Sequence, residues 1–138
     1  MRTIKFRGKA IEPSLGWIYG DLVQISNSYP DIHRYKDTIE VNGEKCKRYE
    51  LDKVNPDTVG QFTSLFDRNK KEIYEGDIIR INDDESGVIE VRFVRGVFAF
   101  LWNGNLDEEM PINAPTHEWA EVIGNIHDNP ELMKGGAQ

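Results

Sequence analysis

The chain has 138 residues, 30% of them charged and 38% hydrophobic, and a formal net charge of −7, which suits one compact domain or two small lobes sharing a core and excludes a disordered chain. A single cysteine, Cys46, excludes an internal disulfide and points to a reducing, cytoplasmic compartment; MRTIKFRGKA at the start has no apolar stretch of the signal-peptide kind, and no apolar run approaches the ~20 residues that span a bilayer. The charge is unevenly placed, with 13 Lys+Arg against 10 Asp+Glu in residues 1–71 (+3) and 4 against 14 in residues 72–138 (−10), so the second half repels phosphate backbones while the first tolerates them.

Helical periodicity is almost absent, and short alternating or β-branched runs recur between turn residues. Thr3 to Arg7 alternates, with Ile4 and Phe6 predicted on the core face. Gly16 to Ile25 reads as a strand with Gly20 at a bulge. Thr38 to Val41 and Glu44 to Tyr49 flank Asn42-Gly43, the strongest short hairpin signal. Asn55-Pro56-Asp57-Thr58 has the cap, proline and acid of a helix start, but Gly60 follows too soon for more than one or two turns. Gln61 to Phe66 and Glu72 to Tyr74 are strands around the turn Asp67-Arg68-Asn69-Lys70, where Lys70 or Asn69 is expected at positive φ.

Gly76 to Ile81, Val88 to Val94 and Val97 to Trp102 form a three-stranded meander, turned by Asp83 to Gly87 and by Arg95-Gly96. A polar loop covers roughly residues 103 to 117. Glu118 to Ile126 is a last strand, Asn129 to Met133 repeats the cap-proline-acid signature, and the residues from Gly135 on are expected to fray. Ile78, Ile89, Val91, Phe93, Phe98, Phe100 and Trp119 are the predicted core of the second lobe. The fold class is mainly β with very little helix. The compositional shift divides it into an N-terminal β-rich lobe, 1–71, and a C-terminal lobe, 72–138, expected to pack together because the joining stretch Lys71 to Gly76 is short.

Candidate chemistry is sparse. His33, His117 and His127 have no metal-ligand spacing and Cys46 has no cysteine partner. Lys45, Lys47 and Arg48 would lower the Cys46 thiol pKa, but no histidine is near in sequence, so it reads as a strand residue. Asp83-Asp84-Glu85 and Asp107-Glu108-Glu109 sit in polar loops, where carboxylates stay solvated and lack the perturbed pKa of a general acid; the first also lacks the ligand spacing of an EF-hand loop. Neither a nucleophile elbow nor a glycine-rich phosphate loop occurs. No catalytic, cofactor-binding or metal-binding residue is assigned. Lys5, Arg7 and Lys9, around Phe6 and Gly8, are the best local candidates for nucleic-acid contact, although Phe6 reads as core. Trp17, Trp102 and Trp119 read as inter-strand packing.

Three stretches together resemble the YopX-like family of bacteriophage and prophage proteins: Ile4-Lys5-Phe6-Arg7 with Gly16-Trp17, the run TVGQFTSLFDRNKKEIYEGDII from Thr58 to Ile79, and VIGNIHDNPELM from Val122 to Met133. The resemblance implies a phage or prophage gene in a bacterial host and a β-rich fold whose C-terminal lobe is a small SH3-like barrel. It implies no established activity and no catalytic motif. Ser64 and Lys70 stand where similar sequences tend to have glycine. The motif residues Gly60, Asp67, Glu75, Gly76, Asp77, Gly124 and Asn125 take structural readings as turn formers, with Asp67 closing its own turn and Gly124-Asn125 at a bulge or tight bend.

The function expected first is a non-enzymatic module that binds itself, or a phage or host protein. A nucleic-acid-associated accessory of phage replication or recombination is the alternative, and a hydrolase or metal enzyme ranks last. The expected partners are a second copy of the chain or a phage or host protein, acidic where it meets the +3 half, with nucleic acid of any kind not expected, duplex DNA bound poorly, and no membrane.

Overall fold

A computed structural model of the chain describes residues 1–25, 28–110 and 115–135, with the backbone alone at 134 and 135. The fold is mainly β. It divides into two compact units, Met1–Gln61 and Phe62–Gln138. The division falls before the compositional shift near residue 71, because Phe62 to Phe66 ladder with a strand of the second unit. On this division the first unit carries 10 Lys+Arg against 9 Asp+Glu and the second 7 against 15, so the excess acid belongs to the second.

In the first unit, β1 (Phe6–Lys9), β2 (Trp17–Val23), β3 (Asp31–Val41), β4 (Glu44–Lys53) and the start of β5 (Gly60–Phe66) run antiparallel in the order β4-β3-β2-β1-β5. One face is apolar: Ile18, Ile32 and Val54 are buried, with Phe6, Ala10, Leu22 and Val59 packed against them. Phe6 takes the core position expected of it. Ile4 does not, being 54% exposed, because the ladder begins at Phe6 and the next core-facing position is Gly8. Gly20 is not at a bulge. Its pairing with β1 is continuous, and what demands glycine there is the close approach of β3, since a Cβ would lie 2.2 Å from the His33 carbonyl oxygen. Asn42 and Gly43 both have positive φ, as the tight hairpin turn requires, and the hairpin they close is far longer than the alternation suggested. Pro56–Thr58 is a single 3₁₀ turn capped by Asn55, whose side chain accepts from the Asp57 amide.

In the second unit, the rest of β5 pairs with β6 (Glu72–Tyr74) through a register shift between Phe62 and Phe66. Ser64 lies in that irregularity with φ 71°, and the Thr63 hydroxyl closes it by donating to the Ile73 carbonyl and accepting from the Leu65 amide. Lys70 has φ 65°, with its amide donating to the Asp67 carbonyl. Both residues are therefore in the left-handed region, which costs an L-residue roughly 1 kcal/mol. Ser64→Gly and Lys70→Gly should each raise stability by up to about 1 kcal/mol in chemical denaturation. A lowered midpoint in either would show that the side chain makes up for the strain.

β7 (Asp77–Ile81), β8 (Ile89–Val94), β9 (Val97–Trp102) and β10 (Ala120–Asn125) form an antiparallel sheet in the order β10-β7-β8-β9, which contains the expected meander. Among the described residues this sheet stays open and does not close into a barrel. The last strand starts at Ala120, not Glu118: Thr116–Trp119 is one turn of helix, α1. The second cap-proline-acid signature opens α2 (Glu131–Gly135). The fraying expected beyond Gly135, and part of the polar loop, lie outside the described residues.

Ile73, Ile79, Ile89, Val91, Phe100 and Ala120 form the core of this unit, with Trp119 packed against it. Three predicted members need correction. Ile78 is fully buried but faces the other side, because Ile78 pairs with Glu90 while Ile79 pairs with Ile89, and directly paired residues share a face. Phe93 is 48% exposed and Phe98 half-buried. They share the Val91–Phe100 face but sit at the free end of the β8–β9 hairpin, beyond the stretch paired with β7, where they pack edge-to-face on each other at 5.1 Å.

Candidate interaction surface

The strand register of the first unit fixes which side chains share its second, non-core face. Lys9 pairs with Trp17 and Arg7 with Tyr19; Asp21 pairs with His33, His33 with Leu51, and Tyr35 with Tyr49. Directly paired residues and residues two apart point the same way, so Arg7, Lys9, Trp17, Tyr19, Asp21, His33, Tyr35, Tyr49 and Leu51 lie on one face, continued along the hairpin by Thr38 with Lys47 and Glu40 with Lys45. The apolar members are open to solvent: Tyr19 is 44%, Tyr35 and Tyr49 each 52%, and Leu51 55% exposed.

The rings form a connected surface. Tyr49 stacks on His33 at 5.1 Å and meets Tyr35 edge-on at 6.0 Å. The Tyr35 hydroxyl is held 2.6 Å from the Thr38 hydroxyl, which limits the ring's rotation. At the other end of the face the Arg7 guanidinium lies 4.7 Å from the Trp17 ring centre and the Lys9 ammonium 5.9 Å, both within cation–π range. Of the carboxylates on this face, Asp21 is 3.7 Å from His33 and Asp31 is 3.8 Å from Lys53.

A two-stranded ribbon this long is only marginally stable by itself in water. Its reverse side supplies the fastening. Arg34 bridges Glu50 at 2.9 Å and Asp52 at 3.1 Å, and Arg48 grips Asp37 with two nitrogens at 2.7 and 2.5 Å. That double hydrogen bond from Arg48 holds the Asp37 carboxyl below its ordinary pKa. The charged pairs therefore sit behind the ribbon, and the rings and Lys45 and Lys47 in front.

The sequence-predicted residues fall into two groups. Arg7 and Lys9 belong to the outer face, although Arg7 itself is buried; Lys5 precedes β1. The motif residues hold turns and bends, except Gly60, which is no turn former but a strand residue. Gly60 pairs with Arg7 at the start of β5. Asp67 is buried, its Oδ1 accepting the Asn69 and Lys71 amides at 2.8 and 2.9 Å and its Oδ2 the Val122 amide at 3.0 Å. Glu75 and Gly76 form the turn into β7, with Gly76 at φ 93° and its amide donating to the Val91 carbonyl at 2.7 Å. Buried Asp77 accepts the Tyr74 amide at 2.7 Å. Gly124 lies at the register shift between β10 and β7, where a Cβ would meet the Asn129 side chain at 2.5 Å, and Asn125 Oδ1 accepts the His127 and Asp128 amides.

No group of three or more His, Cys, Asp or Glu side chains suited to a metal ion occurs among the described residues. Cys46 is exposed. Asp84 caps its own loop by accepting the Ser86 amide, which lowers its carboxyl pKa, while Asp83 and Glu85 lie 3.8 and 3.9 Å from Arg68 and Arg80. Arg68 and Arg80 also converge on Glu121, whose carboxyl is held low chiefly by the Arg80 hydrogen bond. In the second unit Ile81, Trp102, Glu108, Glu109 and Met110 line a shallow, open depression of about 520 Å³. No helix among the described residues is long and apolar enough to cross a membrane.

The outer face went unseen in the sequence because its members come from four strands, β1 to β4. The one local signal, basic residues alternating with Phe6, marked only its first strand.

The family model described as YopX protein matches residues 5–134. A solved structure, that of protein EF1440 from Enterococcus faecalis, is similar with a TM-score of 0.59 at 22% sequence identity, covering 96% of this chain and 99% of that one. At that identity the likeness is one of fold. No protein of curated function matches the chain.

Proposed function

The chain belongs to the YopX protein family, and we propose that it is a non-enzymatic interaction module whose binding surface is the outer face of the N-terminal sheet. It is encoded by a phage or prophage and works in the cytoplasm of the bacterial host. The observation that carries this reading is the exposed ladder Tyr35, Tyr49 and His33, continuous with Leu51 and flanked by Lys45 and Lys47. Aromatic residues in the open are what interfaces are enriched in, and a sheet that needed only solubility would carry polar groups there.

The module self-associates, with the lysine-bearing face of one copy meeting the acidic second unit of another, which has 15 Asp+Glu against 7 Lys+Arg. Light scattering at low and physiological salt tests this. The expected result is a mass above the 15.9 kDa of one chain at low salt, falling as salt rises, and lost in a Tyr35→Ala/Tyr49→Ala variant. A monomer at every concentration and salt would overturn self-assembly.

A further inference from the structure

We infer that the outer face of the N-terminal sheet binds single-stranded nucleic acid, with bases stacked on Tyr35, Tyr49 and His33 and phosphates met by Lys45 and Lys47. The inference rests on the proposed interaction surface and gives it a second occupant, which competes there with another copy of the chain.

Three observations converge. Tyr35 and Tyr49 are half-exposed on an antiparallel sheet; Tyr49 already stacks on His33 at 5.1 Å, so a base meets this pair from its outward side, with Tyr35 6.0 Å from Tyr49 beside it. Stacking of this kind tolerates any base, because every base has a π-face. The cations lie on the same face, Lys47 and Lys45 following Tyr49 at alternate positions of β4, while Arg34, Glu50, Asp52, Asp37 and Arg48 tie up the charges of the reverse side in ion pairs. The outer face carries carboxylates too, Glu40 opposite Lys45 and Asp21 and Asp31 beside His33 and Lys53, so the positive charge it offers along the rings is a small excess. Finally, a sheet face with exposed rings suits unpaired bases, which can splay onto it and stack.

The charge of the whole chain limits the affinity. At −7 it opposes any polyanion, so binding must come from stacking plus a few close phosphates, and it must weaken modestly with salt. With two lysines on phosphates, log Kd should change with log salt by a slope of about 1.4.

The test is fluorescence anisotropy with labelled dT20 and rU20, and an unlabelled 20-base-pair duplex as competitor, at 50 and 150 mM salt. Both single strands are expected to bind and the duplex to compete poorly. Tyr35→Ala/Tyr49→Ala should weaken binding at least tenfold, whereas Tyr35→Phe/Tyr49→Phe, which keeps the rings, should bind like the parent. Lys45→Gln/Lys47→Gln should flatten the salt dependence. Preference for rU20 over dT20 would identify RNA as the partner, and equal binding would identify any single strand; both support the inference. Absence of binding to either strand overturns it, as does binding that the alanine variant leaves intact. If dT20 and rU20 do not bind but the alanine variant still abolishes self-association, only the partner is wrong and the interaction surface stands.

Discussion

Asp67→Ala should cost about 3 kcal/mol or more. One buried carboxylate takes three backbone amides: Asn69 and Lys71 within its own turn, and Val122 from β10. Removing it leaves three donors without an acceptor, and each buried orphan costs on the order of 1–3 kcal/mol unless water reaches it. The same residue closes the turn after β5 and fixes the start of β10, so local repair at one end cannot repair the other. Asp67→Asn keeps one oxygen but turns an NH₂ toward an amide donor, and should cost about half as much. The melting temperature of the alanine variant should fall by roughly 10 °C. A fall of only 1–2 °C would mean that water replaces the carboxylate.

Phe100→Ala should cost about 3–5 kcal/mol and Phe98→Ala only about 1–2. Phe100 is 1% exposed, sits in the cluster of Ile79, Ile89 and Val91, and meets Trp119 edge-to-face at 6.0 Å. Phe98 lies on the same face of the same strand but at the hairpin's open end. Truncating it removes little that was dry. Equal losses in urea titrations would show that the end of the β8–β9 hairpin is covered in solution.

These two residues also mark where the sequence was legible. Alternation along β8 and β9 put Val91, Phe93, Phe98 and Phe100 on one face, and the register agrees. Alternation says nothing of how far the neighbouring strand reaches, and β7 pairs with β8 only at Ile78 and Ile79. Burial therefore stops short of the hairpin end. Turn chemistry read more reliably than packing: Asn42-Gly43, the Asn55 cap and the strained Lys70 all follow from which residues tolerate which φ.

The outer face was hidden for a sharper reason. Counting back from the Asn42-Gly43 turn, with Val41 opposite Glu44, places Tyr35 opposite Glu50 and so on the reverse side from Tyr49. The register shift between Tyr35 and Asp37 inserts one residue, brings Tyr35 opposite Tyr49, and moves both rings to the same face. One bulge thus makes the ladder, and nothing in Tyr35-Lys36-Asp37 announces it.

The most direct test of the outer face as the binding surface is a titration of isotopically labelled protein with dT20, followed by amide chemical shifts. The shifts should move first and most at His33, Tyr35, Lys45, Lys47 and Tyr49, with β7 to β10 unchanged. Shifts confined to the second unit would contradict the outer face as the binding surface, and none at saturating dT20 would overturn the nucleic-acid partner.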